Sequence, residues 1–312
     1  MKKPTVLSIL AIAAAGTLAL TGCASGDSNT GGSMGDEVTG LSGTVGAKDF
    51  SEQYILAYLT SGLLNAHGAD TDANTQVVGS ANVRAALESD DFLGYWEYTG
   101  TSWITYNQNT APIKGEEAQF EATKEADAAN GIAWLDPAPL NNTYAFAIRS
   151  DKAKELGVTS LSDIAALPVD DQTFCIESEF STRDDGWPGL KTAYGIDVPD
   201  SNVALLDTGV IYTATQKGDD CNFGEVFQTD GRITALDLVV LDDNEEFFPV
   251  YQGAFTLKQS TLDEYPGVTE VMALMSQKLT TQEMQKLNAL ADVEGQDPED
   301  IANDWLTEQG LI

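Results

Sequence analysis

Histidine, cysteine and positive charge are what this sequence has least of: one His, three Cys, and 16 Lys and Arg against 49 Asp and Glu in 312 residues. The resulting net charge of -33 repels phosphate backbones and anionic lipid headgroups, which excludes nucleic-acid binding as a function class. Such a surplus keeps a chain soluble and monomeric without naming a ligand. A mechanism that needs a histidine base has one candidate, His67, set between Ala66 and Gly68 near an expected helix end. No nucleophile accompanies it in a recognisable setting, so it reads as a surface residue. Glu177 and Glu179 could be imagined as an acid pair near Arg183, but among 49 acids such coincidences are expected. The reading is therefore of a chain that is not an enzyme and carries no cofactor, with an exported hydrolase the weakest alternative. Long apolar runs are also scarce, and after Leu20 there is none, so a transport role would require separate membrane subunits.

What is present begins with Lys2 and Lys3, an apolar run from Val6 to Leu20, and then Leu20-Thr21-Gly22-Cys23. The run is too short for a membrane span and reads as a secretory signal over residues 1–22. The small residues before Cys23 resemble the lipobox of bacterial lipoproteins, in which the cysteine is acylated and becomes the first mature residue. Two acyl chains would hold the protein on the extracytoplasmic face of the cell membrane without spanning it. Residues 23–43, rich in Ser, Gly, Asp and Thr, are expected to form a flexible tether. Cys175 and Cys221 remain, and in an oxidising compartment one disulfide closing a loop of about 45 residues is the economical reading. Two isolated thiols without histidine partners do not make a metal site.

Along the rest of the chain short apolar strands alternate with helical patterns. Ser42–Ala47 and Thr75–Val78 read as strands, and Glu52–Leu64 as a helix capped by Ser51, with Ile55, Leu56, Leu59 and Leu63 on one face. Ser80–Glu88 and Glu116–Asn130 read as further helices, and Gly94–Glu97 and Tyr144–Ile148 as strands. The alternation predicts α/β architecture with mainly parallel sheets, and some 270 residues exceed what one core supports, so two lobes are expected. Ligands in such folds sit at the carboxyl ends of strands, here the cleft between lobes.

Several segments carry candidate chemistry. Gly46-Ala47-Lys48 places a lysine at a strand-to-helix turn, an anion-binding corner, although taken alone a surface lysine is the plainer reading. Tyr98, Thr99, Gly100 and Thr101 put a ring and hydroxyls at a strand end, where aromatic residues are more often core than site. Tyr144 and Tyr251 stand at breaks in the pattern, and Arg183 is surrounded by acids. Together the strings Lys48-Asp49-Phe50-Ser51-Glu52-Gln53, Glu97-Tyr98-Thr99-Gly100-Thr101, Asn141-Asn142-Thr143-Tyr144-Ala145, Arg183-Asp184-Asp185-Gly186, Thr229-Asp230-Gly231-Arg232-Ile233 and Phe247-Phe248-Pro249-Val250-Tyr251 occur in the order seen in one family. Over about residues 43–312 the chain resembles the substrate-binding lipoproteins of osmoprotectant ABC importers, which take up glycine betaine, carnitine, choline and related quaternary amines.

The resemblance implies a two-lobed type II periplasmic-binding-protein clamp, with residues 44–143 and 250–312 in lobe one and 144–249 in lobe two. It implies an aromatic cage of Tyr98, Tyr144, Phe227 and Tyr251 around a trimethylammonium group, which aromatic faces hold well because it donates no conventional hydrogen bond. Phe227 stands where the family commonly has tyrosine, so one ring lacks its hydroxyl. Lys48, Thr101 and Arg183 match the positions that would hold a betaine carboxylate, and Asn142 would turn an oxygen toward the methyls. Because a choline-only site would leave both cations with no anion, glycine betaine is the expected ligand. The implied partners are a membrane permease and an ATPase. The alternative within the fold is a binding protein or sensor for another small solute: choline only, ectoine or an amino acid.

Overall fold

The computed structural model describes residues 35–109 and 111–312; the expected signal segment, Cys23 and most of the tether lie outside them. The folded part opens before residue 44. Val38 and Leu41 are buried and the first strand starts at Ser42, so the last residues of the expected tether belong to the fold.

Among the described residues ten strands form two five-stranded sheets. The first runs in the order β2-β1-β3-β10-β4, built from Ser42–Gly46 (β1), Asp70–Asn74 (β2), Gly94–Tyr98 (β3), Ile132–Trp134 (β4) and Gly253–Lys258 (β10). The second runs β7-β6-β8-β5-β9, from Tyr144–Arg149 (β5), Phe174–Ile176 (β6), Val203–Leu205 (β7), Phe223–Phe227 (β8) and Leu238–Val240 (β9). The chain passes from the first sheet to the second between β4 and β5 and returns between β9 and β10. The molecule is a two-lobed α/β protein.

The expectation of mainly parallel sheets holds for four of the five strands in each sheet and fails for one, β10 in the first and β5 in the second. β1 lies parallel to β2 and β3, and β6 to β7 and β8, but β10 is antiparallel to β3 and β4, and β5 to β8 and β9. The cause is the crossing itself. β4 and β9 deliver the chain to the cleft side of their sheets, so the strand that follows must enter the other sheet from the cleft and run away from it.

The helix Ser51–Ala66 buries Ile55, Leu56, Leu59, Leu63 and Leu64, the 3.6-residue stripe that the sequence carries. Each such side chain contributes about 1.5–3 kcal/mol relative to exposure. Ser51 does not cap this helix. Phe50 is the N-cap in extended conformation, and the Ser51 hydroxyl donates 2.6 Å to Asp292 in helix Thr281–Asp292. The second strand is Asp70–Asn74, not Thr75–Val78. Its polar sequence has little strand propensity, and it is a strand because β1 supplies a parallel ladder in register from Ser42↔Asp70 to Gly46↔Asn74. His67 is not a surface residue: it is 6% exposed and its Nδ1 lies 2.8 Å from Glu37, near the start of the fold. In the second lobe a disulfide joins Cys175 on β6 to Cys221, just before β8, with Cα atoms 5.6 Å apart.

Candidate functional site

The carboxyl ends of β1, β3, β6 and β8 and the start of β5 converge on one cleft. From β1 come Lys48, Asp49 and Phe50; from β3, Tyr98 and Thr101; from the first crossing, Asn142 and Tyr144. Beyond β6 stand Glu177, Glu179 and Arg183, at the end of β8 Phe227, and from the second crossing Tyr251. All eight residues expected from the sequence to meet the ligand line this cleft.

Tyr144 is the centre of the rings. It is the first residue of β5 and pairs across the antiparallel ladder with Phe227, their ring centroids 5.2 Å apart. Tyr251 meets it edge-on at 5.2 Å and 83°, and Phe180 and Phe248 back it at 4.9 and 6.2 Å. Phe50 escaped the sequence reading, although it lies within the Lys48–Gln53 string. Its ring stacks 5.5 Å from Phe227 and 6.3 Å from Tyr98. Gly100 is required here, because a Cβ on it would sit 2.8 Å from the Tyr251 ring. Burial holds the phenols of Tyr98, Tyr144 and Tyr251 well above their ordinary range, so these rings are neutral and attract cations through their quadrupoles.

The two cations are not waiting for an anion, which corrects the argument that a site without a ligand carboxylate would leave them unpaired. Lys48 donates 2.5 Å to Glu97, which also accepts from the Tyr95 hydroxyl and the Tyr98 amide. Arg183 grips Asp185 bidentately at 2.7 and 2.6 Å, donates 2.9 Å to Glu179 and reaches the Tyr251 hydroxyl at 3.3 Å. Tyr251 in turn donates to Asp185. Each cation also lies over a ring, Lys48 over Tyr98 at 5.2 Å and Arg183 over Tyr144 at 5.6 Å. Burial pushes Glu179 up, but Arg183 and Lys48 outweigh it and hold this carboxyl below its usual range.

Behind Tyr98, Glu52 is buried and accepts from the Tyr98 hydroxyl at 2.6 Å, Asn142 Nδ2 at 2.8 Å and Asn288 Nδ2 at 2.9 Å. Behind the opposite wall, Glu225 accepts from the Glu177 amide at 2.7 Å, and burial raises it well above the usual carboxylate range. A raised folded value means that folding takes up a proton here. The associated stability is complete below the unfolded value and is lost as pH rises through the folded one. Glu225→Gln is therefore expected to raise the thermal midpoint more at pH 8 than at pH 5. An equal shift at both pH values would show that Glu225 folds as a carboxylate.

Among the described residues no group of three or more His, Cys, Asp and Glu side chains converges as metal ligands would. The chemistry on offer is non-covalent: a wall of neutral rings, paired cations beside them, and carboxylates at the mouth.

A family model described as the substrate binding domain of ABC-type glycine betaine transport system matches residues 44–308. The glycine-betaine-binding protein of Pseudomonas aeruginosa is 34% identical over 276 residues, 86% of this chain and 88% of that protein. The glycine betaine-binding protein YehZ of Escherichia coli K12 is 32% identical over 274 residues, 85% and 90% of the two chains. A crystal structure of a glycine betaine/carnitine/choline ABC transporter protein superposes with a TM-score of 0.71 at 28% identity, covering 86% of this chain and 99% of the other.

Proposed function

The chain belongs to the family of substrate-binding domains of ABC-type glycine betaine transport systems, and we propose that it captures a quaternary ammonium osmoprotectant, glycine betaine first, in the cleft lined by Tyr98, Tyr144, Phe227 and Tyr251. It is an extracytoplasmic substrate-binding protein and not an enzyme. The convergence of four predicted rings and Phe50 from both sheets on one cleft carries the reading. A trimethylammonium group donates no conventional hydrogen bond, so ring faces are its best partners, worth about 2 kcal/mol each when desolvated. At the other end Lys48, Thr101 and Arg183 hold the carboxylate with N–H and O–H groups beyond those turned to Glu97, Asp185 and Glu179. Ligand bridging residues 44–143 and 250–312 on one side and 144–249 on the other draws the lobes together, the differential contact that closure requires.

A second reading, a carboxylate-free cation such as choline, is favoured by the internal pairing of both basic residues and by Asp49, Glu177 and Glu179 in the lining. Acylated Cys23 and the tether beyond it would keep a monomer beside its permease and ATPase.

Calorimetric titration with glycine betaine, choline, carnitine and unmethylated glycine tests the whole reading. Tight binding of betaine with none of glycine is expected. In the same titration Arg183→Ala is expected to weaken betaine far more than choline, and equal losses would sink the carboxylate role in favour of the second reading. Silence toward every quaternary amine would leave the fold and remove the ligand class.

A further inference from the structure

We propose that Glu52 is a positioning residue that sets the ammonium end of the site from behind, fixing which atom of Asn142 and which face of Tyr98 the ligand meets. The inference rests on the quaternary-amine reading and names a residue outside the cage on which its specificity depends.

Glu52 lies in the first turn of helix Ser51–Ala66, 3% exposed, and its two oxygens accept from the Tyr98 hydroxyl and the Nδ2 atoms of Asn142 and Asn288, with the Thr229 side chain a further donor. Burial raises its carboxyl and these donors pull it back. A carboxylate only accepts, so it dictates the orientation of every group around it. Asn142 must turn Nδ2 to Glu52. That leaves its buried Oδ1 without a protein partner, on a residue that lines the cleft. An unsatisfied buried acceptor beside the rings favours the positive methyls of an ammonium and disfavours any group that brings its own acceptor. Tyr98 spends its hydroxyl proton on Glu52, which polarises the ring toward greater electron density and leaves its face to the ligand. Asn288 shares its Nδ2 between Glu52 and the Thr229 carbonyl, which ties the same carboxylate to the Thr229–Arg232 loop of the other lobe.

Glu52→Gln tests this with almost no change of shape. Glutamine has one acceptor end, so it cannot serve both the Tyr98–Asn142 side and the Asn288 side. Either Asn142 turns its nitrogen to the cleft, or Asn288 gives up its bond to Thr229 and loosens the segment that follows Phe227, so both outcomes reach the ammonium end. The expected result is a loss of affinity of about tenfold, equal for tetramethylammonium and glycine betaine because both share the ammonium end, measured by titration of the folded protein. A lowered thermal midpoint with unchanged affinity for both ligands would overturn the proposal and leave Glu52 a packing residue.

A measurement on the ligand-free wild-type protein gives a second decision. Side-chain amide NMR signals of Asn142 and Asn288 shifted and protected as carboxylate-bound donors support the role, and freely exchanging amides overturn it. This readout stands if Glu52→Gln fails to fold. If wild-type protein ignores every quaternary amine, the silence sinks the functional reading while the amide signals still decide the role of Glu52.

Discussion

Tyr144→Ala is expected to weaken binding of a quaternary amine by about 2 kcal/mol, roughly 30-fold, the largest loss of any single ring in the cleft. The reason is position. Tyr144 opens β5 directly after the first crossing, and its ring contacts Phe227 across the ladder, Tyr251 from the second crossing, and Phe180 and Phe248 behind. Removing it deletes one wall and unseats two others. Arg183 also stacks on this ring, so the same change releases the guanidinium that would meet a carboxylate. Tyr144→Phe keeps the face and is expected to bind nearly as wild type. Titration of both variants with tetramethylammonium and glycine betaine separates the effects, since loss at Arg183 touches only betaine. Binding of Tyr144→Ala within about threefold of wild type would remove Tyr144 from the cage.

The helix Ser51–Ala66 and the strand ends that carry Lys48, Tyr98 and Tyr144 could be read from the sequence because local pattern decides them: a 3.6-residue apolar stripe, and apolar runs interrupted by Gly and polar residues. Other features are decided elsewhere in space. β2 is polar but for Ala73 and becomes a strand only beside β1. The antiparallel β5 and β10 follow from where the crossings deliver the chain, which no local period encodes. The sequence around Arg183 displays its acids, yet only the structure shows Asp185 folded back on the guanidinium and Glu179 beside it, and Glu97 matched with a lysine 49 positions away. In a chain with 49 acids, which carboxylate answers a given cation is a tertiary fact. Burial of His67 depends on the arrival of Val38 and Glu37 from the start of the fold.

The largest effect on stability is expected at Asp127, where alanine should cost about 3–5 kcal/mol. Asp127 is fully buried at the end of helix Glu116–Ala128. It accepts both terminal nitrogens of Arg84 at 3.0 and 2.9 Å, the Ser102 hydroxyl and the Trp134 indole at 2.7 Å, and Asn107 at 3.2 Å. Truncation leaves a 4% exposed guanidinium with only Glu88, itself half exposed, bonded at Nε. The net value of the intact pair is modest, but the cost of orphaning its buried partner is not. Because Ser102 follows Thr101, the damage should also reach the cleft as a weaker site in the molecules that remain folded. Burial works to raise the Asp127 carboxyl, but Arg84, Ser102 and Trp134 outweigh it and hold it below its ordinary value. A depressed folded value contributes stability that is present above the unfolded one and is lost as pH falls through the folded one. Wild-type protein should therefore lose stability below about pH 4, and Asp127→Asn, already deficient at neutral pH, should lose less over the same range. Denaturant unfolding of wild type and both variants at pH 7 and pH 3 measures this. A cost under about 1 kcal/mol at neutral pH would mean that Glu88 swings in to replace Asp127, and that the five bonds converging on this carboxylate are redundant.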